Sequence, residues 1–322
     1  MNRSHEKTAA FVRGFFLSLE QCGHRAAVLH GGEDGFGHEL SDVDFVIERS
    51  SYKQLATLIN AYCEDSGWFL CQILRHETTA AYFVCSAAED PTCAVALDAC
   101  SDYQRNGTVF LRADELLTNT QILPWGGRGL KPAMQLRYRF AKASAKNKDI
   151  IAVATEFNNY PVEDRQICET WLKNQWRISL SSWDSTQLDS ALVELRKKSN
   201  PRPSLLQVGA QARILSRILH PSGLVVIAGH LDFDGAAARL ESVFGHLYFR
   251  RFRQADRWQP FMIKDLVTST LIVVPELGFP WLHLIPKNCL HRLDHSLEHA
   301  TQLQALAGQL HQRCRQRETP LS

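Results

Sequence analysis

Near the start of this 322-residue chain, two apolar runs flank a glycine pair and a polar loop. The first reads Ala27-Val28-Leu29-His30 and closes on Gly31-Gly32; the second reads Ser41-Asp42-Val43-Asp44-Phe45-Val46-Ile47. Runs this short, bounded by glycine and polar residues, read as strands. Side chains alternate across a strand, so Asp42 and Asp44 share one face while Val43, Phe45 and Ile47 share the other. One strand therefore packs a core with one face and presents two carboxylates with the other. Few folds tolerate that, because the charged face must meet solvent, a cation or a ligand.

The surrounding pattern places this strand in a mixed sheet. A helix is expected around residues 5–21, and a second over Tyr52–Cys63 with Leu55, Leu58, Ile59 and Tyr62 on one face. Trp68–Leu74 and Ala80–Cys85 read as a hairpin, and Cys93-Ala94-Val95-Ala96-Leu97-Asp98 as a strand that ends in a third carboxylate. After the loop Pro124-Trp125-Gly126-Gly127-Arg128-Gly129 the character changes. Segments 132–146, 149–158, 163–175 and 186–198 carry no glycine, and no proline beyond Pro132 at the first position, and they show helical periodicity. A break at Ser199–Ser204 precedes a helix near 204–218, strands at Leu224–Ala228 and Leu271–Val274, and a last helix from Leu290 to Cys314. The fold class is thus α/β (α+β): a mixed sheet with flanking helices at 1–120, a helical region at 121–203, and a small α/β domain at 204–322.

Composition narrows the setting. Charged residues make up 22% of the chain and the net charge is only +2, so no polyanionic partner is demanded and nucleic acid is not the expected ligand. The nine cysteines are odd in number and contain no Cys-x-x-Cys pair, which points to buried free thiols in a reducing, cytoplasmic setting. No apolar run is long enough to span a bilayer.

Three carboxylates on neighbouring strands suit hard divalent cations, which take oxygen ligands and share them with phosphates. A Gly-Gly turn beside them lets backbone amides approach phosphate without obstruction. The ordered set Gly31, Gly32, Asp42, Asp44 and Asp98 resembles the nucleotidyltransferase superfamily that includes DNA polymerase β and the minimal nucleotidyltransferases. The stretch Leu97–Tyr103 followed by Gly107–Leu111 also resembles a bacterial branch associated with polysaccharide gene clusters. The resemblance covers roughly residues 20–118. It implies that Asp42 and Asp44 bridge two Mg2+ (or Mn2+) ions, and that Asp98 binds the catalytic one and helps deprotonate an acceptor hydroxyl. Gly31, Gly32 and Ser41 would line the nucleoside triphosphate. The alternative for the carboxylates is ordinary: turn residues and caps at strand ends.

The loop after Gly32 departs from what a triphosphate needs, since it carries Glu33, Asp34 and Glu39 and no lysine or arginine. The expected cation donors are Arg128, Lys131, Arg139, Lys142 and Lys146. Arg139, Lys142 and Lys146 share one helix face, opposite Leu136 and Phe140; the alternative is a solvated surface. Farther on, Gly229–Ala237 resembles the phosphate loop of thymidylate-kinase-like proteins. It has five residues between the glycines, Ala236 in place of lysine and Ala237 in place of Ser/Thr, which implies a degenerate, structural domain. Asp232 and Asp234 lack any supporting motif. His291, His295 and His299 are expected on the solvent side of the last helix, and Tyr248–Arg253 as a strand whose arginines face solvent or a phosphate pocket.

The expected activity is metal-dependent transfer of an NMP from an NTP to an unidentified hydroxyl acceptor. A non-catalytic nucleotide-binding scaffold is the alternative.

Overall fold

A computed structural model describes residues 3–36, 42–77, 79–105, 107–145, 149–199, 224–229, 251–254, 270–275, 289–292 and 299–315. Helix α1 (Arg3–Gln21) leads into β1 (Ala26–Val28), β2 (Asp42–Ile47), the short α2 (Arg49–Tyr52) and α3 (Leu55–Ser66). Strands β3 (Trp68–Glu77), β4 (Ala80–Ala87) and β5 (Ala94–Cys100) follow, then a small hairpin of β6 (Tyr103–Arg105) and β7 (Thr108–Leu111). Helix α4 (Ala113–Thr118) precedes β8 (Thr120–Ile122) and β9 (Arg128–Leu130).

These strands form a seven-stranded mixed sheet in the order β3-β4-β5-β2-β1-β9-β8. Strands β2 and β5 run parallel, and β1 lies antiparallel to β2. Of Pro124–Gly129, expected as a plain loop, Pro124 to Gly127 lie in the turn of the β8–β9 hairpin while Arg128 and Gly129 belong to β9, which extends the sheet beside β1. Both strands are three residues long, too short to show a period.

Alternation divides the sheet cleanly. Val43, Phe45, Ile47, Leu97 and Ala99 pack with Phe11, Phe15, Phe16, Leu55 and Ile59 of α1 and α3. The opposite face, with Val46 and Cys100, lies under the helical region. That region comprises α5 (Pro132–Ala145), α6 (Ile150–Asn158), α7 (Val162–Trp171) with a π-helical turn over Leu172–Trp176, and α8 (Ser185–Ser199). All four lie where periodicity placed them. Proline at the first position of α5 and the Asp149 side chain capping the Ile151 amide mark two of the starts.

The C-terminal part contributes β10 (Leu224–Gly229), β11 (Arg251–Gln254), β12 (Thr270–Pro275), β13 (Leu290–Arg292) and α9 (His299–Arg315). Its sheet is parallel throughout, in the order β11-β12-β10-β13. Both faces of β10 and β12 are apolar and buried. Val225, Ile227, Leu271 and Val273 pack with α9 and with Cys71 and Val84 of the first sheet, while Leu224, Val226, Ile272 and Val274 pack with Cys289.

One expectation fails here. Leu290–Cys314 is not a single helix: Leu290 pairs with Val226 as a strand, and the helix begins at His299. Sheet pairing beside β10 outweighs the helical spacing of the leucines. His291 is consequently buried instead of facing solvent; His295 lies outside the described residues. So do the helix near 204–218, Asp232, Asp234, Ala236 and Ala237. Eight of the nine cysteines are buried, Cys22 is exposed, and none forms a disulfide. No helix among the described residues is long and apolar enough to cross a membrane.

Candidate active site on the carboxylate face of the first sheet

Parallel register sets Asp44 directly beside Asp98, with Asp42 opposite Ala96. The two central aspartates therefore project together from adjacent strands, and Asp42 lies two residues away on the same face. Asp42 is exposed, Asp98 half-buried, and Asp44 only 8% exposed. Unpaired, a carboxylate as buried as Asp44 would take up a proton.

Asp44 has partners. Lys142 on α5 brings its ammonium to 2.5 Å from Oδ2, and His30 places Nε2 2.8 Å from the same oxygen. Lys142 Nζ and His30 Nε2 are themselves 2.9 Å apart. One imidazole nitrogen thus stands within reach of both: protonated it donates to Asp44, and unprotonated it accepts from Lys142. Burial pushes the Asp44 carboxyl up, but the His30 hydrogen bond and the positive charge of Lys142 outweigh it and hold the group far below the usual carboxylate range.

Aromatic rings wall this cluster. Tyr138, one turn before Lys142 on α5, stacks on His30 with centroids 5.7 Å apart and lies 5.6 Å beneath the Lys142 ammonium. Tyr103 meets Tyr138 edge-on at 4.8 Å. Burial, then the negative charge of Asp44, pushes both phenols well above their ordinary range, so both stay protonated and able to donate.

The glycine pair closes the site. Gly31 has φ +75°, and the space a side chain would enter is open. Gly32 is packed: its carbonyl accepts from the Trp125 indole at 2.7 Å, and a Cβ there would sit 3.1 Å from Val28 Cγ1. The first glycine is therefore the accessible one, and the second anchors the turn to the β8–β9 hairpin.

The expected cation donors part ways. Lys142 reaches Asp44, whereas Arg139 pairs with Glu156 on α6 and Arg128 pairs with Glu20 on α1. Ser41 and Lys146 lie outside the described residues. His30 and Tyr138 carry no motif in the sequence. Strict alternation sends His30 to the far side of β1, but the strand ends at Val28 and the chain turns at Gly31, which returns the ring to Asp44. The one signal for Tyr138 is its position four residues before Lys142 on the same helix.

Among the described residues, no three His, Cys, Asp or Glu side chains converge as they stand into a group that could hold a metal ion. The donor chemistry nevertheless fits magnesium: the aspartates offer hard oxygens, and the Lys142 ammonium already stands as a cation on the most buried of them. No family model matches the chain, and no curated protein or solved structure matches it.

Proposed function

We propose that this chain is a metal-dependent nucleotidyltransferase that moves an NMP from a nucleoside triphosphate to a hydroxyl. One observation carries the reading. Asp44 and Asp98 are register partners on parallel strands, with Asp42 on the same face and an unobstructed glycine turn beside them.

In this reading Asp42, Asp44 and Asp98 hold Mg2+ or Mn2+, which when bound supplies Lewis-acid stabilisation of the charge that builds up on the phosphoryl oxygens. The chain's own groups do the rest. Asp98, the less buried of the central pair, accepts the proton as the acceptor oxygen bonds to the α-phosphorus. The bond from that phosphorus to the bridging oxygen breaks, and pyrophosphate departs with the electron pair. Lys142 supplies positive charge to the phosphates, and the backbone at Gly31 approaches them closely. The protonated Tyr103 hydroxyl, on a partly exposed ring, can donate to phosphate or to the acceptor, while the fully buried Tyr138 backs His30. An acceptor linked to polysaccharide synthesis follows only from the family resemblance of Leu97–Leu111.

A second reading has an observation of its own. Lys142 and His30 already partner Asp44, as they would in a nucleotide-binding scaffold without catalysis. Each α-labelled NTP, incubated with Mg2+ or Mn2+ and a panel of hydroxyl acceptors, separates the two. Transfer with pyrophosphate release, lost in Asp42→Ala and Asp98→Ala, is expected. Nucleotide retention without pyrophosphate release from the wild type would sink the enzyme reading.

A further inference from the structure

The cation on Asp44 belongs to the protein. Lys142 is only 14% exposed at its side chain, it rises from a helix whose Tyr138, Phe140, Ala141 and Ala143 are buried, and its ammonium sits 2.5 Å from Oδ2. A divalent ion ligated by that oxygen would stand at about 2.0–2.1 Å from it for magnesium. Two cations that close to one oxygen repel strongly in a site this secluded, so they compete for it. Lysine suits such an exchange: it is a compact charge on a flexible stem, and it can leave one oxygen while its helix stays fixed. His30, 2.9 Å from the ammonium, offers a nearby resting partner.

We infer that Lys142 is a tethered stand-in for the divalent cation, so that metal binding to Asp44 displaces its ammonium and makes it available to the phosphates of the nucleotide. The inference rests on the carboxylates forming a cation site and adds a regulatory property to it. In the resting protein the most buried carboxylate and the phosphate-binding cation mask each other. Metal alone must compete with Lys142, and nucleotide alone finds that lysine engaged. Each ligand relieves the obstacle to the other, and by linkage the factor by which metal tightens nucleotide binding equals the factor by which nucleotide tightens metal binding.

The measurement is Mn2+ titration of the full chain by electron paramagnetic resonance, with and without a non-hydrolysable α,β-methylene nucleoside triphosphate. Lys142→Met is expected to bind Mn2+ alone at least tenfold more tightly than wild type, and to lose the mutual tightening with the nucleotide. Arg139→Gln removes a charge from the same helix, but one held by Glu156, and is expected to shift Mn2+ affinity less than twofold. If Lys142→Met folds poorly, Lys142→Gln keeps a hydrogen-bond donor for Asp44 and carries the same expectation. Equal Mn2+ affinity in wild type and both Lys142 variants overturns the exchange. With wild-type transfer activity intact, that result leaves the enzyme reading standing. Absence of Mn2+ binding in every variant, with nucleotide present, overturns both.

Discussion

The two sheets of this molecule bury their strands in opposite ways. In the C-terminal sheet, β10 and β12 are apolar on both faces, and each face finds its own cluster of aliphatic neighbours. In the N-terminal sheet, β2 is apolar on one face and carries Asp42 and Asp44 on the other. The first arrangement is complete once the strands pair. The second leaves a nearly buried carboxylate that must be matched by a cation from elsewhere, and Lys142 arrives from 98 residues along the chain. A sheet of the first kind is scaffold. One of the second kind holds charge in a low-dielectric setting, where it can act on a ligand.

The contrast breaks first at the reaction. On the proposed function, Asp98→Asn should lower nucleotidyl transfer about 10³-fold, since several kcal/mol of charge stabilisation are at stake. Val226→Ala in the other sheet should leave the turnover per folded molecule intact, as read by steady-state kinetics on the soluble fraction. Next comes stability. Lys142→Met strands the Asp44 charge, and urea unfolding at pH 7 in metal-free buffer should register a loss of about 3–4 kcal/mol. Because the Asp44 carboxyl is held far below its ordinary range, the pair's contribution is complete at neutral pH. It disappears as pH falls from about 5 through the carboxylate range, so wild type and variant should converge in acid.

The C-terminal sheet has its own acid window. His291 on β13 bonds Gln309 through Nδ1 at 2.9 Å, and its buried Nε2 has no partner among the described residues. Burial, with Arg313 nearby, lowers its pKa from 6.5 to about 4. The neutral ring is favoured in the fold, so stability is full above about pH 6.5 and falls by about 3 kcal/mol as pH drops through 4. His291→Gln should remove that slope and leave the Asp44 window untouched, as unfolding curves at pH 7, 5.5 and 4 would read. A smaller effect is expected at the glycine turn. Gly31→Ala should cost about 1 kcal/mol, because φ +75° is strained for any residue with a Cβ. The smallest is Arg139→Gln, whose guanidinium is committed to Glu156: transfer should change less than about twofold, within the few tenths of a kcal/mol typical of a partly exposed pair.

Much of the scaffold is legible in the amino-acid sequence. Helices α5 to α8 lack internal breakers and repeat their apolar residues at helical spacing, and they fold where that spacing puts them. The paired carboxylates were legible for a simpler reason: a period of two leaves Asp42 and Asp44 no choice but to share a face. What failed were segments whose local pattern is short or contradicts their neighbours. Strands β8 and β9 span three residues each, and Leu290–Arg292 carries helical spacing yet pairs with β10. His30 was missed because a turn, and not alternation, directs its ring. Arg139 and Lys142 were inseparable by sequence, lying three apart on one helix; Glu156 on α6 claims the first and Asp44 the second.

The amino-acid sequence alone determined the alternation of the strands, the apolar C-terminal strands, the helical middle and the face on which the carboxylates stand, because each depends on residues a few positions apart. Tertiary structure alone decided the parallel register that sets Asp44 beside Asp98 and the choice of Lys142 over Arg139 as its counter-charge. It also decided the return of His30 to the site. Those outcomes are long-range. They depend on which surfaces pack together, and a buried charge takes whichever cation that packing brings within reach.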